Sequence, residues 1–469
     1  MADHRSLHGK YSWSVTSLNS ARIAGSNDGF CSASGGDTLT PDVTNDPADI
    51  AIVGAGAAGL MSAISAGRAA REMGRSIRIV ALDGANKLGA KILVSGGGRC
   101  NVTHDVVDEG AFFGSSAAAI RKVLRRFDVS RTIAFFNELG VELKREETGK
   151  LFPTSDDAAT VLDALLDEAR NLDVELLHPA RVESISATAE NPFCLNGPGG
   201  PLIARRIILA PGGKSLPKTG SDGHGYALAR GLGHTITPHV LPALVPLVLH
   251  PESFIRALSG LTVPATLELR SATGKRLISF TDSTLCTHLG LSGPGVLDIS
   301  RHYLSARLAD PGAGLFIRWL PDHTPESLDA AIVEFARTDG RAAVARFFAE
   351  KLPLRLARAL CEQAGVDPGL AAHSLSRDAR RALVAAVVNM PLPVVGDRGF
   401  AVAEVTAGGV PLGEVRLETM ESRRCAGLYL CGEICDVDGR IGGYNFQWAW
   451  SSGYVAGISA ARSIACASF

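Results

Sequence analysis

Apolar positions fall into short runs separated by stretches of helical spacing, beginning near residue 48. Ile50 to Val53 form a short apolar run that predicts a strand. Behind it, Leu60, Met61 and Ile64 recur among small Ala residues at helical spacing and predict a helix. "IRIVALD" predicts a second strand ending at Asp83. "RIILAPGGKS", from Arg206 to Ser215, predicts a buried strand running into glycines, Gly212 among them. The pattern returns near the other end. Leu428 to Leu430 read as a strand entering Gly432 and Glu433, and Gly442-Gly443 then opens an apolar helix rich in Ala, Ser and Gly.

From about Pro238 the pattern changes. "TLELRSATGKRLISF" alternates and carries a turn at Thr273-Gly274, which predicts a β-hairpin. Residues of about 325–386 are Ala-, Leu- and Arg-rich with helical spacing. The expected organisation is therefore a first α/β segment over 48–237, an insert over 238–399 and a return to the α/β unit over 400–469. Residues 1–47 are dominated by Ser, Asn, Asp, Gly and Thr without period, and are expected to be a disordered extension.

Composition changes this picture little. With 469 residues, 46% hydrophobic and 20% charged, the chain reads as a soluble globular protein of two to three domains. A net charge of -1 argues against a protein coated in nucleic acid and leaves room for a local basic patch. No run of about 18 apolar residues is present, so no membrane span is expected. The nine Cys are odd in number and lack paired CxxC spacing, which fits a reducing, cytoplasmic setting.

The chemistry starts in "GAGAAGL". Gly54 allows the tight turn after the strand, Gly56 lets the backbone approach a pyrophosphate, and Gly59 lets the helix pack on the strand. The helix N-terminus faces the phosphates, and Asp83, 83 − 59 = 24 residues on, can accept a ribose hydroxyl. An acid there favours an unphosphorylated ribose, hence FAD or NAD, and FAD is the longer guest. "KILVSGGGRCNVTH" follows the second strand closely. The amides of Gly96, Gly97 and Gly98 can approach the flavin ring without a Cβ in the way. No second GxGxxG opens a helix after a strand, so a separate nicotinamide-binding domain is not expected: either a nicotinamide docks directly over the flavin ring, or the reductant comes from elsewhere.

The set "GAGAAGL", "KLGAKILVSGGGRCNVT", "GGKSLPKTGSDGHGY", "THLGLSGPGVLDISR", "VTAGGVPLGEV" and "GLYLCGEICDVDGRIGGYNFQWAWSSGYVAG" resembles the BaiN/YhiN-type NAD(P)/FAD-dependent flavoproteins, also labelled aminoacetone-oxidase-like. The resemblance spans about residues 48–462, with His104, Pro211 and Cys431 as small departures. It implies a Rossmann-like FAD-binding domain of the glutathione-reductase type, interrupted by an insert with a β-barrel-like part and a helical part. It also implies that the main chain of Val182 contacts adenine. Ala57, Ala58, Lys91, Gly212, Gly432, Glu433, Gly442, Gly443, Asn445 and Phe446 complete the candidate cofactor set.

Three residues are candidates for catalysis. Arg99 and Asn101 follow the glycines and can hold a flavin or substrate carbonyl, although Arg99 can equally brace the loop. His288, in "CTHLGLSGPG", is either a general acid or a structural His. Cys100 reads better as a buried thiol than as a proton donor, and Cys431 with Cys435 lacks disulfide-reductase spacing. Asp436 and Asp438 lack the rest of a calcium loop and suggest a tight turn, so no metal is expected. Arg121, Lys122, Arg125, Arg126 and Arg131 form either a solvated helix face or a contact for RNA. The resemblance implies FAD-dependent reduction of an activated C=C bond of a small molecule, with NAD(P)H as hydride donor. Relatives of that family are associated with unsaturated steroid-like acids, and others with a uridine of ribosomal RNA. An oxidase making peroxide and a non-catalytic FAD-binding protein are the other readings.

Overall fold

The computed structural model describes residues 47–187 and 193–466, and the expected N-terminal extension lies outside the described residues. β1 (Ala48–Val53) leads into α1 (Ala57–Glu72) and β2 (Ile79–Leu82). α2 (Ala90–Val94), α3 (Ala117–Leu124) and α4 (Val129–Glu138) follow, then β3 (Glu175–Leu177) and β4 (Leu202–Leu209). After the insert, which contains α5 (Pro294–Ala309), the chain returns through β5 (Leu428–Leu430), β6 (Val437–Gly439) and α6 (Tyr444–Cys466).

The parallel strands run in the order β3-β2-β1-β4-β5. Ile50 lies beside Ile79, Ala51 beside Ile207 and Leu209 beside Leu430. β1 is buried at every position except Asp49, as expected of a central strand covered on both faces. This parallel sheet with crossover helices is the Rossmann arrangement that the sequence predicts, with short antiparallel strands added beyond β5 and beside β4.

The insert has its own core. Seven strands are ordered Met390–Pro391, Gly314–Arg318, Thr262–Arg270, Arg276–Cys286, Gly290–Ser292, Leu247–Leu249 and Val394–Asp397. The predicted hairpin is the long antiparallel pair at its centre, with Gly274 in the turn at φ 82°. Helices between Pro325 and Val388 close over one another around Trp319, Phe348, Leu356 and Leu383. The chain leaves and re-enters through one ladder, in which Leu241 pairs with Ala407 and Ala243 with Val405.

α1 and α6 lie almost in backbone contact. A Cβ on Gly453 would stand 2.6 Å from the Ala58 carbonyl oxygen, and one on Gly457 would stand 2.2 Å from that of Ser62. The two contacts advance by four residues on each helix, so the helices run parallel and their N-termini point the same way. Small residues are what permit this approach. Gly457→Val should therefore destabilise the fold by about 1–3 kcal/mol through overpacking. A denaturant midpoint equal to that of the wild type would show that the approach is dispensable.

Candidate functional site

The crevice at the carboxyl ends of the parallel strands is built first by the β1–α1 turn. Gly54 is left-handed (φ 97°), and a Cβ there would lie 2.4 Å from the Ala210 carbonyl oxygen. Gly59 packs against the Gly54 carbonyl oxygen, which a Cβ would meet at 1.9 Å. Gly56 is different, because a Cβ there would meet nothing within 4 Å. Open ground therefore lies before the first amides of α1, where Ala57 and Ala58 sit, and it fits a pyrophosphate. Asp83 follows β2 directly. Its two carboxylate oxygens accept from the amides of Ala55 and Ala85, both at 2.8 Å, which orients the group and leaves further lone pairs for a ribose. The Ala180 amide donates to the Asp83 carbonyl at 2.6 Å and brings buried Val182 to the same edge. Gly212 (φ 78°) closes the turn after β4, over the buried Ser221 hydroxyl, which has no partner among the described residues. Residues of both halves thus fit the adenosine diphosphate end of a dinucleotide.

The glycine-rich loop follows one short turn, α2. Gly96, Gly97, Gly98 and Cys100 all have φ between 57° and 87°. A Cβ on Gly96 would meet the Asn101 amide at 2.9 Å and Phe152 at 3.0 Å, whereas Gly98 faces open space. The loop is clamped to the start of α6. With its amide oriented to satisfy its surroundings, Asn101 accepts from the Gly443 amide at 3.1 Å and donates to the carbonyls of Thr103 (3.0 Å) and Leu151 (3.3 Å). Thr103 donates to Gln447 at 2.7 Å, and the Trp450 indole donates to the Val102 carbonyl at 2.9 Å. Gly443 needs its left-handed φ of 95° and its bare Cα, since a Cβ would lie 2.5 Å from the Thr103 main chain. Lys91 meets Glu433 at 2.5 Å, and the other Glu433 oxygen accepts from the Thr406 amide at 2.9 Å. Gly432 lies against Ala58. Asn445 holds the Gly439 main chain in both directions, and Phe446 stacks on Trp450. The candidate cofactor residues from both ends of the chain therefore share one crevice.

The catalytic candidates fare differently. Arg99 pairs with Glu146 at 2.6 Å and lies 4.0 Å over the Phe152 ring, so its guanidinium braces the loop against the strand pair Leu143–Arg145 and Lys150–Pro153. Asn101 is buried with its amide spent on main chain, which makes it a positioning residue. His288 is exposed on a turn of the insert, where its carbonyl accepts from Arg256 at 2.8 Å. None of the three presents a free group to the crevice. The thiols of Cys100 and Cys431 are pushed up to about 12 by burial, and burial also raises that of Cys435 well above its ordinary range. "DVDG" is a strand, β6, paired with Phe112–Gly114, where a turn was expected.

Other residues take their place. A methyl on Gly442 would lie 3.4 Å from Tyr444 Cε2, 3.6 Å from His104 Cδ2 and 3.6 Å from Lys150 Cε. His104 stacks on Tyr444 with ring centroids 5.0 Å apart, and the His104 ring is held by Thr148 and Val106. Neither the Lys150 ammonium nor the Tyr444 hydroxyl has a partner among the described residues. Burial raises the Tyr444 phenol above its ordinary range. Glu404 is accessible to water, yet surrounding protein raises its carboxyl, with the charges of Lys91 and Lys150 opposing. Glu404 thus belongs to the same charged cluster as Lys91 and Lys150. Lys150 and Glu404 lie outside the motifs, whereas His104 and Tyr444 lie inside motifs whose chemistry the sequence assigns to their neighbours.

The insert docks beside this cluster through exchanged charges. Asp298 on α5 accepts from Arg440 Nε and from the Ile441 amide, each at 2.8 Å. Arg301, one turn on, reaches Asp438 on β6 at 2.9 Å. Burial pushes Asp438 up to about 7, with Arg301 opposing and the nearby Asp436 and Glu433 reinforcing. His302 stands edge-on to Phe113 at 4.4 Å, and burial, with Arg301 beside it, lowers it to about 4.

Comparison with known proteins follows this geometry. The family model described as the HI0933-like protein Rossmann domain matches residues 48–459. A 3-dehydro-bile acid delta(4,6)-reductase of Clostridium scindens is 35% identical over 88% of this chain and 99% of its own length. A ribosomal RNA dihydrouridine synthase of Escherichia coli is 34% identical over 87% of this chain and 96% of its own. A second protein of that name, from Haemophilus influenzae, is 32% identical over 88% and 98%. No helix among the described residues is long and apolar enough to cross a membrane.

Asp83→Ala should weaken FAD binding by about 1.5–3 kcal/mol, the worth of hydrogen bonds to a charged group. An unchanged FAD dissociation constant would remove Asp83 from the site. Asp438 sets a pH dependence. Its native value near 7 exceeds the ordinary 3.8, so between about pH 4 and 7 the native state keeps a proton that the unfolded chain has released. This group therefore costs stability as pH rises through that window, and adds no slope above it. Asp438→Asn should flatten the melting temperature across pH 4 to 7, and an unaltered profile would show that Asp438 ionises normally.

Proposed function

Since the chain belongs to the HI0933-like Rossmann-domain family and is an FAD-dependent oxidoreductase, we propose that it reduces an activated C=C bond with NAD(P)H as hydride donor. The observation that carries this reading is the convergence of Tyr444 and Lys150 beside Gly442, at the N-terminus of α6. The curated relatives support it, because a delta(4,6)-reductase and a dihydrouridine synthase both add hydrogen across a C=C bond conjugated to a carbonyl.

FAD, when bound, supplies hydride at its ring. What remains for the chain is to bind the substrate, take up the charge that develops on its carbonyl oxygen, and deliver a proton. Lys150, free of ion pairs among the described residues, is the cation for that oxygen. The amides at the start of α6 and the positive end of its dipole add to it. Tyr444 is the proton donor for the carbon next to the carbonyl. Its raised phenol stays protonated at neutral pH, and His104 stacked on the ring fixes its direction. Asn101 and Lys91 act earlier, by fixing the loop and the α6 N-terminus around the crevice. The substrate is either a small enone-like molecule or a uracil base, since both present the same conjugated carbonyl.

Anaerobic mixing with NADH or NADPH should bleach the bound flavin, and an enone or uracil acceptor should restore its colour. Peroxide formation in air without an acceptor, at the same rate as flavin turnover, would replace this reading with an oxidase. Tyr444→Phe should lower turnover by about 10²–10⁴-fold while leaving the rate of bleaching by NAD(P)H intact. Equal turnover in that variant would assign the proton to another group.

A further inference from the structure

His104 is one of the positions at which the chain departs from the family motif, and its ring stacks on Tyr444. It stands on the short strand Thr103–His104, opposite Lys150 in an antiparallel ladder. Both ring nitrogens have an acceptor. Nε2 lies 3.0 Å from the Thr148 carbonyl oxygen, which can only accept, so Nε2 carries a proton. Nδ1 lies 2.9 Å from Asp105 Oδ1. The other oxygen of that carboxylate, Oδ2, accepts from Arg145 Nε, and this bond holds the Asp105 carboxyl below its ordinary range and ionised. A bare lone pair on Nδ1 would therefore face a carboxylate at contact distance. Water offers little relief, because only 18% of the His104 side chain is exposed. A proton on Nδ1 removes the repulsion and makes a charge-assisted hydrogen bond. The Val106 amide, 3.2 Å from Nδ1, keeps a partner in that state, since it also reaches the Asp105 carboxylate. The turn that carries Thr148 leaves room for both groups. A Cβ on Gly149 would stand 2.5 Å from His104 Cε1 and 2.5 Å from Asp105 Oδ1.

The geometry points to His104 as a doubly protonated positioning residue, whose charge lies against the Tyr444 ring and makes the phenol a readier proton donor. The inference rests on the proposed role of Tyr444 and deepens it. The two ring centroids are 5.0 Å apart and the planes 20° from parallel, which sets the imidazolium over the face of the phenol. Both imidazole nitrogens are engaged, by Thr148 and Asp105, so His104 passes no proton to the phenol oxygen and acts through charge. When Tyr444 protonates the substrate carbon, its O–H bond breaks, the new C–H bond forms and a phenolate is left, which solvent water reprotonates before the next turnover. A cation at the ring stabilises the developing phenolate more than the phenol, and so favours the transition state over the ground state. Other charges face the same stack. Lys150, across the ladder, opposes a second cation beside it. Arg440 favours the phenolate, whereas Asp298, Asp108 and Asp105 oppose it. Of these groups, His104 is the one stacked on the ring.

The test has two readouts on the FAD-loaded full chain. The first involves no turnover. With 15N-labelled histidine rings at neutral pH, the His104 signals, identified by their loss in His104→Asn, should show a proton on each ring nitrogen. A spectrum with one protonated nitrogen would overturn the proposal. The second is a double-mutant cycle on the turnover of 2-cyclohexenone or uridine with NAD(P)H. His104→Asn should lower kcat by roughly tenfold at unchanged KM, the scale of one cation on an aromatic face. His104→Arg, whose flat cation can stack in the same place, should recover most of that loss. In the Tyr444→Phe background, His104→Asn should cost nothing further. An equal loss in both backgrounds would show a merely structural His104 and overturn the proposal. Flavin content and melting temperature, read on each variant, establish that it is folded, and His104→Gln replaces His104→Asn in both readouts if the latter does not fold. Full turnover in Tyr444→Phe would remove the proton donor itself. Loss of turnover in Tyr444→Phe with none in His104→Asn would overturn this inference alone, so the two failures are distinguishable.

Discussion

The near-contact of α1 and α6 is the constraint on which the rest depends. Two helices that begin at opposite ends of the sequence can aim their N-termini into one crevice only if they lie parallel and close. Gly453 and Gly457 let α6 settle onto the carbonyls of Ala58 and Ser62. Once they do, Gly432 comes to rest on Ala58, and the start of α6 meets the glycine-rich loop through Asn101 and Gly443. The dinucleotide turn and the ring end of the crevice are then two outcomes of one packing arrangement. The buried Trp448 and Trp450 fix the rotation of α6, their indoles donating to the carbonyls of Gly432 and Val102.

Much of this was legible in the sequence where a local rule applies. The strand, the three glycines, the helix and Asp83 are each demanded by short-range geometry, so their placement could be read from spacing alone. The same holds for the strand entering Gly432 and for the hairpin at Gly274. The sequence left Arg99 between two roles and did not show the placement of Asn101, because a side chain's direction out of a left-handed loop is decided by distant partners. Glu146 draws Arg99 away, and Gly443, far along the chain, captures Asn101. Lys150 and Glu404 carried no signal, and Tyr444 was passed over between Gly443 and Asn445, since their proximity arises only when the two segments of the Rossmann unit close together.

Between the Rossmann unit and the insert, charges are exchanged in both directions. α5 offers Asp298 to Arg440 and Arg301 to Asp438, so each side carries one acid and one base. A buried pair of this kind contributes little net stability, because desolvation offsets the attraction. It does specify geometry, since any other docking leaves a charge buried without its partner. The aromatic faces of Phe113 and Phe280, which lie under Arg301 and Arg440, restrict the arrangement further.

The ladder that joins Leu241–Ala243 to Val405–Ala407 gives the chain an unusual modularity. Directly opposed residues in such a pair stand only about 5 Å apart, so the insert hangs from the Rossmann unit by a closed neck. A short turn could bridge that neck in its place without disturbing the order of the parallel strands. A module of this kind can be exchanged during evolution as a unit, carrying its own core. The condition is that a replacement bring an acid and a base to face Arg440 and Asp438. Change within the insert is then decoupled from the crevice of the Rossmann unit, and is gated by two charges.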